Sequence, residues 1–376
     1  MIHFIQQSFF FFTVLRTYLT FSLMELSAII ISFFCCCSLI TSGAQGSAHH
    51  HHDGGGDYVF RPTKLFVFGD SYADTGNVRK ALASSWKVPY GITFPGKPAG
   101  RFSDGLILTD YFAKSLGLKT PVAYAWRKIG AKKLRYGMNF AYGGSGVFDT
   151  LWDLLPNMTA QIDFFENLMN ESLYTKWDLH SSVVLVSLAG NDYGAFLQNG
   201  GTIQGLQAFI PRVVNQLAVN LKRITELGAR KIVVTALQPL GCLPRATQLT
   251  SFQQCNATQN TAVQLHNLLL HQAVAKLNND TKRSNIFVLD LYDSFTTVLY
   301  QKTDLKERLK FKSPLKPCCV GTCAGCFCGS VDEKGTKLYT VCSDPKSAFF
   351  WDSSHPTQAG WRAVYTTLKS SLEQFI

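Results

Sequence analysis

The hydrophobic pattern of the chain consists of short, nearly unbroken apolar runs separated by longer stretches of mixed character. KLFVFGDS at 64–71, SSVVLVSLAGND at 181–192, RKIVVTALQPLGC at 230–242 and NIFVLDLY at 285–292 each hold consecutive apolar residues closed by glycine, proline or acidic residues. Runs of this length without polar alternation predict strands buried on both faces. Between and around them, residues 106–117, 205–227 and 262–278 predict helices, the second ending near Gly228. This alternation predicts an α/β fold with a central parallel sheet and helices on both faces. Ligands of such sheets bind beyond the carboxyl ends of strands. Gly69-Asp70-Ser71 breaks the first run at that place, which makes Ser71 the first candidate for chemistry.

The pattern changes toward the C-terminus. Residues 312–343 hold six cysteines, several glycines and few aliphatic residues, which predicts an irregular loop held by disulfides. Cys323-Ala324-Gly325-Cys326 has the spacing of half a zinc knuckle, but the crowding of Cys318, Cys319 and Cys328 around it favours bridges over a metal site. The closing segment TQAGWRAVYTTLKSSLEQFI predicts a last amphipathic helix, with Pro356 at its approach. No repeat or polar linker divides residues 61–376, which read as one domain large enough for a single core.

At the other end, LSAIIISFFCCCSLI at 26–40 precedes the small and polar TSGAQGSA. This is the layout of a signal peptide cleaved around Ser42–Ala48. Residues 1–46 are read as that leader, with the stretch before Met24 an over-extended start; a signal anchor is the alternative, since residues 8–40 hold enough apolar side chains to reach across a bilayer. Residues 47–60, with the tract HHHHDGGGD, read as a flexible His/Gly-rich segment, because its glycines preorganise no metal coordination.

Three of the eleven cysteines fall in the leader. The other eight, Cys242, Cys255, Cys318, Cys319, Cys323, Cys326, Cys328 and Cys342, form an even set that fits oxidative folding, with the pairing left open. Sequons at Asn157, Asn170, Asn256 and Asn279 predict N-glycosylation. Together these features predict a secreted protein, extracellular or in the cell wall, with no stable membrane span after processing. The formal charge of +11 comes from 36 Lys and Arg against 25 Asp and Glu. The basic residues are dispersed and no zinc-finger or RNA-binding signature accompanies them, so no nucleic-acid partner is expected. A basic surface remains compatible with an acidic polysaccharide or an anionic lipid.

Four dispersed motifs carry candidate chemistry: GDSYADTGN at 69–77, NFAYGGSG at 139–146, GND at 190–192 and DSSH at 352–355. With LFVFGDSYADTGN, VSLAGNDY, PLGCLP at 239–244 and FFWDSSHPTQAG in this order, the chain resembles the plant GDSL esterase/lipase family, the SGNH hydrolases. The resemblance spans about residues 64–370. It implies a flavodoxin-like three-layer α/β/α hydrolase fold with a central parallel sheet, and an enzyme that cleaves carboxylic esters; the family's substrates include lipids, small acyl esters and plant polymers, which leaves the ester open, with a lipid or an acylated cell-wall carbohydrate as candidates.

The resemblance also assigns the site. Ser71 is the implied nucleophile, which needs a neighbour to accept its proton; His355 is that base, and Asp352, three positions earlier, the acid that orients it. Asp344 and Asp293 are alternative acids on composition alone. The implied oxyanion donors are the backbone N–H groups of Ser71 and Gly144 and the side-chain amide of Asn191. Outside catalysis, Gly144 would shape a turn and Asn191 would cap a helix. Asp70, Asp74, Asn77 and Asp192 read as loop braces. The serine motif is not the G-x-S-x-G elbow, and Tyr72 stands where the family commonly has leucine, which predicts altered loop packing.

Phe94, Phe102, Tyr142, Phe148, Trp152 and Phe196 lie near the motif loops as candidates for an apolar pocket or for core packing. Acyl-enzyme chemistry of this kind requires no cofactor and no metal. A serine acyltransferase using an acceptor alcohol is the alternative activity, and a catalytically inactive secreted binding or defence protein the alternative of a different class.

Overall fold

The computed structural model describes residues 60–150, 155–188, 190–282, 285–300 and 311–376. The proposed leader, nearly all of the His/Gly-rich segment and Trp152 lie outside the described residues.

Six strands form the central sheet: β1 Lys64–Gly69, β2 Val122–Ala123, β3 Gly137–Asn139, β4 Ser182–Ser187, β5 Ile232–Thr235 and β6 Ile286–Leu289. Their order is β2-β3-β1-β4-β5-β6, and every pairing is parallel. Leaving out the two-residue β2, this is the flavodoxin-like order 2-1-3-4-5. The four apolar runs became β1, β4, β5 and β6. Leu65, Phe66, Val67 and Phe68 alternate across the sheet and all are fully buried, so both faces are covered. The register runs from Lys64 opposite Ser182 to Gly69 opposite Ser187. On the other side, Gly137 has φ 96°, and a Cβ there would lie 2.0 Å from the Leu65 carbonyl oxygen. Glycine is what allows β3 to close on β1.

The helices are α1 Leu108–Ser115, α2 Met158–Asn170, α3 Lys176–His180, α4 Gly190–Gln198, α5 Ile203–Glu226, α6 Pro244–Thr247, α7 Ala257–Asp280, α8 Leu291–Leu299 and α9 Gln358–Phe375. Their starts follow side-chain caps: Thr202 accepts from Gly205 N–H, Asn256 from Gln259 N–H and Thr357 from Gly360 N–H. These caps start α5 and α7 ahead of the apolar periodicity that predicted them. In α5 the buried Leu206, Ile210, Val213, Leu217, Leu221 and Ile224 recur at helical spacing and form its core face. The GND motif does not end a strand as its sequence context suggests. β4 stops at Ser187, and Gly190-Asn191-Asp192 open α4.

The cysteine-rich segment is more ordered than an irregular loop. β7 Cys319–Gly321 and β8 Tyr339–Val341 pair antiparallel, with bridges Cys318–Cys342, Cys319–Cys328 and Cys323–Cys326 around them. The fourth bridge, Cys242–Cys255, lies between β5 and α7. Cys318, Cys319 and Cys328 pack with Tyr90, Tyr339, Ala348 and Trp351 in a second small core. Among the described residues no helix is long and apolar enough to cross a membrane.

Candidate active site

Three loops leave the carboxyl ends of adjacent strands and meet: the Ser71 loop after β1, the Gly144 loop after β3 and the Asn191 turn after β4. Since the chain runs from β1 to one neighbour and then to the other, they meet at the switch point of the sheet. Buried polar groups hold them. Asp74 accepts from the N–H groups of Gly76, Asn77 and Gly143, and Asp192 accepts from those of Val147 and Phe148. The Asn77 amide donates to the carbonyls of Asn139 and Ala141. Gln161 in α2 bonds both the N–H and the carbonyl of Gly69, fixing the end of β1.

On this frame His355 Nε2 lies 2.8 Å from Ser71 Oγ, and His355 Nδ1 lies 2.8 and 2.9 Å from the two oxygens of Asp352. The short spacing works because Asp352 Oδ1 also accepts from the N–H groups of Ser354 and His355, which folds the loop back on the carboxylate. Tyr90 donates to Asp352 Oδ2 at 2.7 Å. Asp344 instead caps the turn at Pro345–Ser347, and Asp293 lies exposed in α8.

Gly144 has φ 93°, and its N–H has no acceptor among the described residues; the same holds for Ser71 N–H. Gly143 N–H, by contrast, is taken by Asp74. Asn191 gives one side-chain hydrogen to the Ser145 carbonyl, 2.9 Å away, and keeps a second. Ser71, Gly144, Asn191 and His355 all line one cavity of about 640 Å³, with Val78, Leu82, Phe102, Leu155, Leu240 and Leu243 supplying much of its apolar wall.

Residues 65–367 match the family model described as GDSL-like Lipase/Acylhydrolase. The chain belongs to the GDSL esterase/lipase family. It is 60% identical over 317 residues to GDSL esterase/lipase At5g03610 of Arabidopsis thaliana, covering 84% of this chain and 88% of that one. Identity to GDSL esterase/lipase At3g09930 of the same plant is 55% over 315 residues, covering 83% and 89%. A more distant relative, Acetylajmalan esterase 2 of Rauvolfia serpentina, is 29% identical over 326 residues, covering 80% and 87%. As a GDSL esterase/lipase the protein is a serine-hydrolase-type enzyme acting on ester bonds.

The features of this GDSL esterase/lipase that its sequence did not reveal are packing contacts. Phe102 stacks on His355 at 5.1 Å between ring centroids, and Tyr90 reaches Asp352 across 262 positions of sequence. Tyr72 changes the loop packing in a definite way: its hydroxyl donates to the Ser354 carbonyl at 2.8 Å, and its ring stands edge-on to Trp361. Of the aromatic pocket candidates, Phe102 lines the cavity. Phe94, Tyr142, Phe148 and Phe196 do not, the last two packing on Phe209. Phe327, next to Cys326, is a lining residue that the cysteine pattern concealed.

Burial sets the charge state of the braces. It raises Asp70 to about 7, against the pull of the Tyr72 N–H and His355, and raises Asp74 and Asp192 to about 6. The folded pKa of Asp70 thus exceeds its unfolded value of 3.8. Its contribution to stability is present below 3.8 and is lost as the pH rises toward 7. Asp70→Asn keeps the acceptor for Tyr72 N–H and removes the penalised charge. Its melting temperature is expected to equal that of the wild type at pH 4 and to exceed it by a few degrees at pH 8, from at most about 4 kcal/mol. An equal difference at both pH values would contradict this assignment.

Proposed function

We propose that the protein hydrolyses carboxylic esters through an acyl-enzyme on Ser71, with His355 as base and Asp352 as its orienting acid. The observation that carries this reading is the unbroken hydrogen-bond chain from Asp352 through His355 to Ser71 at the wall of the cavity. The carboxylate holds the proton on Nδ1, which leaves Nε2 free to accept from Ser71 Oγ. Ser71 attacks the ester carbonyl, and the N–H groups of Ser71 and Gly144 with the remaining Asn191 hydrogen receive the oxyanion. His355 then protonates the departing alcohol. Water repeats the sequence on the acyl-enzyme and releases the acid.

We infer further that the protein is a secreted plant glycoprotein whose substrate is a lipid or an acylated wall carbohydrate. In support stand four disulfides, the plant relatives and sequons at the exposed Asn170, Asn256 and Asn279. Asn157 is the least accessible of the four, with its amide engaged by Ala160 N–H and Asp149.

A fluorophosphonate probe tests the nucleophile. Peptide mapping is expected to find one phosphonyl adduct, on Ser71, with labelling suppressed in His355→Ala. An adduct on another serine, accompanied by loss of ester turnover, would remove Ser71 from the mechanism.

A further inference from the structure

The PLGCLP motif is followed by Arg245, a residue that the ester mechanism leaves without a task. Its backbone N–H donates to the Ser353 carbonyl at 2.9 Å, which ties it to the loop that carries Asp352 and His355. Its side chain is exposed and lines the same cavity as Ser71, where it is the sole Lys or Arg among the described lining residues. The guanidinium makes no hydrogen bond or ion pair among the described residues. Protein atoms nevertheless crowd it, and the resulting desolvation lowers its pKa despite the attraction of Tyr72, Asp352 and Asp70. A side chain both exposed and desolvated in this way stands in a concave mouth.

The two nearby carboxylates attract it from a distance but take their hydrogen bonds from other groups. Asp352 receives Tyr90, His355 and two backbone N–H groups, and Asp70, raised to about 7 by burial, is largely uncharged below neutral pH. The planar guanidinium at the cavity wall therefore has N–H donors that no described protein group accepts. We propose that Arg245 is a specificity-determining residue that takes a carboxylate or phosphate carried by the ester substrate. This rests on the ester-hydrolase reading and adds a charged feature to an otherwise largely apolar pocket.

Two matched pairs of esters test it and separate the sources of the anion: 4-nitrophenyl butyrate against 4-nitrophenyl hemisuccinate, and 1-acetylglycerol against 1-acetylglycerol 3-phosphate. In at least one pair, Arg245→Gln is expected to lower the charged-to-neutral ratio of kcat/KM by about 10-fold or more, as for loss of one charge-assisted contact. Arg245→Lys should restore part of that ratio, and rising salt should erode it in the wild type. Calorimetric binding of the same esters to Ser71→Ala, with and without Arg245→Gln, reads the contact without turnover. A ratio unchanged in both pairs, with no loss of charged-ester binding, would overturn the role of Arg245. Turnover that persists in Ser71→Ala would instead overturn the serine mechanism.

Discussion

Ser71→Ala is expected to lower kcat on a simple ester by about a million-fold, the scale seen when a serine nucleophile is removed from an assembled triad. Ser71 is half-buried, and its Oγ bonds His355 alone among the described residues, so the substitution removes the reacting atom with little change in packing. The melting temperature should stay within a degree or two of the wild type, which separates lost chemistry from lost structure. Burst kinetics with 4-nitrophenyl acetate supply the measurement. A residual rate within tenfold of the wild type would mean that the hydrogen-bond chain ends on a bystander.

Asp352→Asn should lower kcat by about 10⁴-fold with the backbone almost unmoved. The wild-type carboxylate accepts from His355 on both oxygens and from Tyr90 on Oδ2. An amide has one oxygen for these donors, and its nitrogen facing the imidazole would favour the tautomer with the proton on Nε2, which cannot accept from Ser71. Burial alone would raise the pKa of Asp352, but the charge of His355 and the hydrogen bonds from His355, Ser354 and Tyr90 outweigh it and hold the carboxyl below the usual range. Its stabilising contribution is therefore present above the unfolded carboxylate pKa and fades as the pH falls through the lower folded value. At neutral pH it is fully charged, so the loss in Asp352→Asn should persist across the neutral range. The check is a pH profile of kcat for both proteins. Activity within tenfold of the wild type at every pH would show that His355 is oriented by something else.

The sequence spoke most clearly where one local rule governs several residues in a row. β1, β4, β5 and β6 are legible because strands covered on both faces require unbroken apolar runs. β2 and β3 have only two and three residues and are defined by their pairing, β3 with β1 and β2 with β3, so no periodicity announces them. Ser71, Asp352, His355, Gly144 and Asn191 stand in motifs, and the fold brings all five together at the switch point. Phe102 was legible as a pocket candidate, but its stacking on His355 and the whole role of Tyr90 were not, because each is a contact made across some 250 positions, for which an isolated aromatic residue gives no sign. The Cys318–Cys342 bridge belongs to the same class, since it depends on the register of β7 and β8.

That small ribbon also bears on how Asp352 is seated. Cys318 N–H donates to the Phe350 carbonyl and Cys319 N–H to the Trp351 carbonyl, so two bridged cysteines grip the chain immediately before Asp352, while Tyr90 from their shared core holds its outer oxygen. The six strands of the sheet that presents Ser71 contain no cysteine, whereas the segment leading into Asp352 is bonded to bridged ones. The ribbon thus works as a clasp, its cross-links holding in place the backbone from which the Asp352 carboxylate reaches His355.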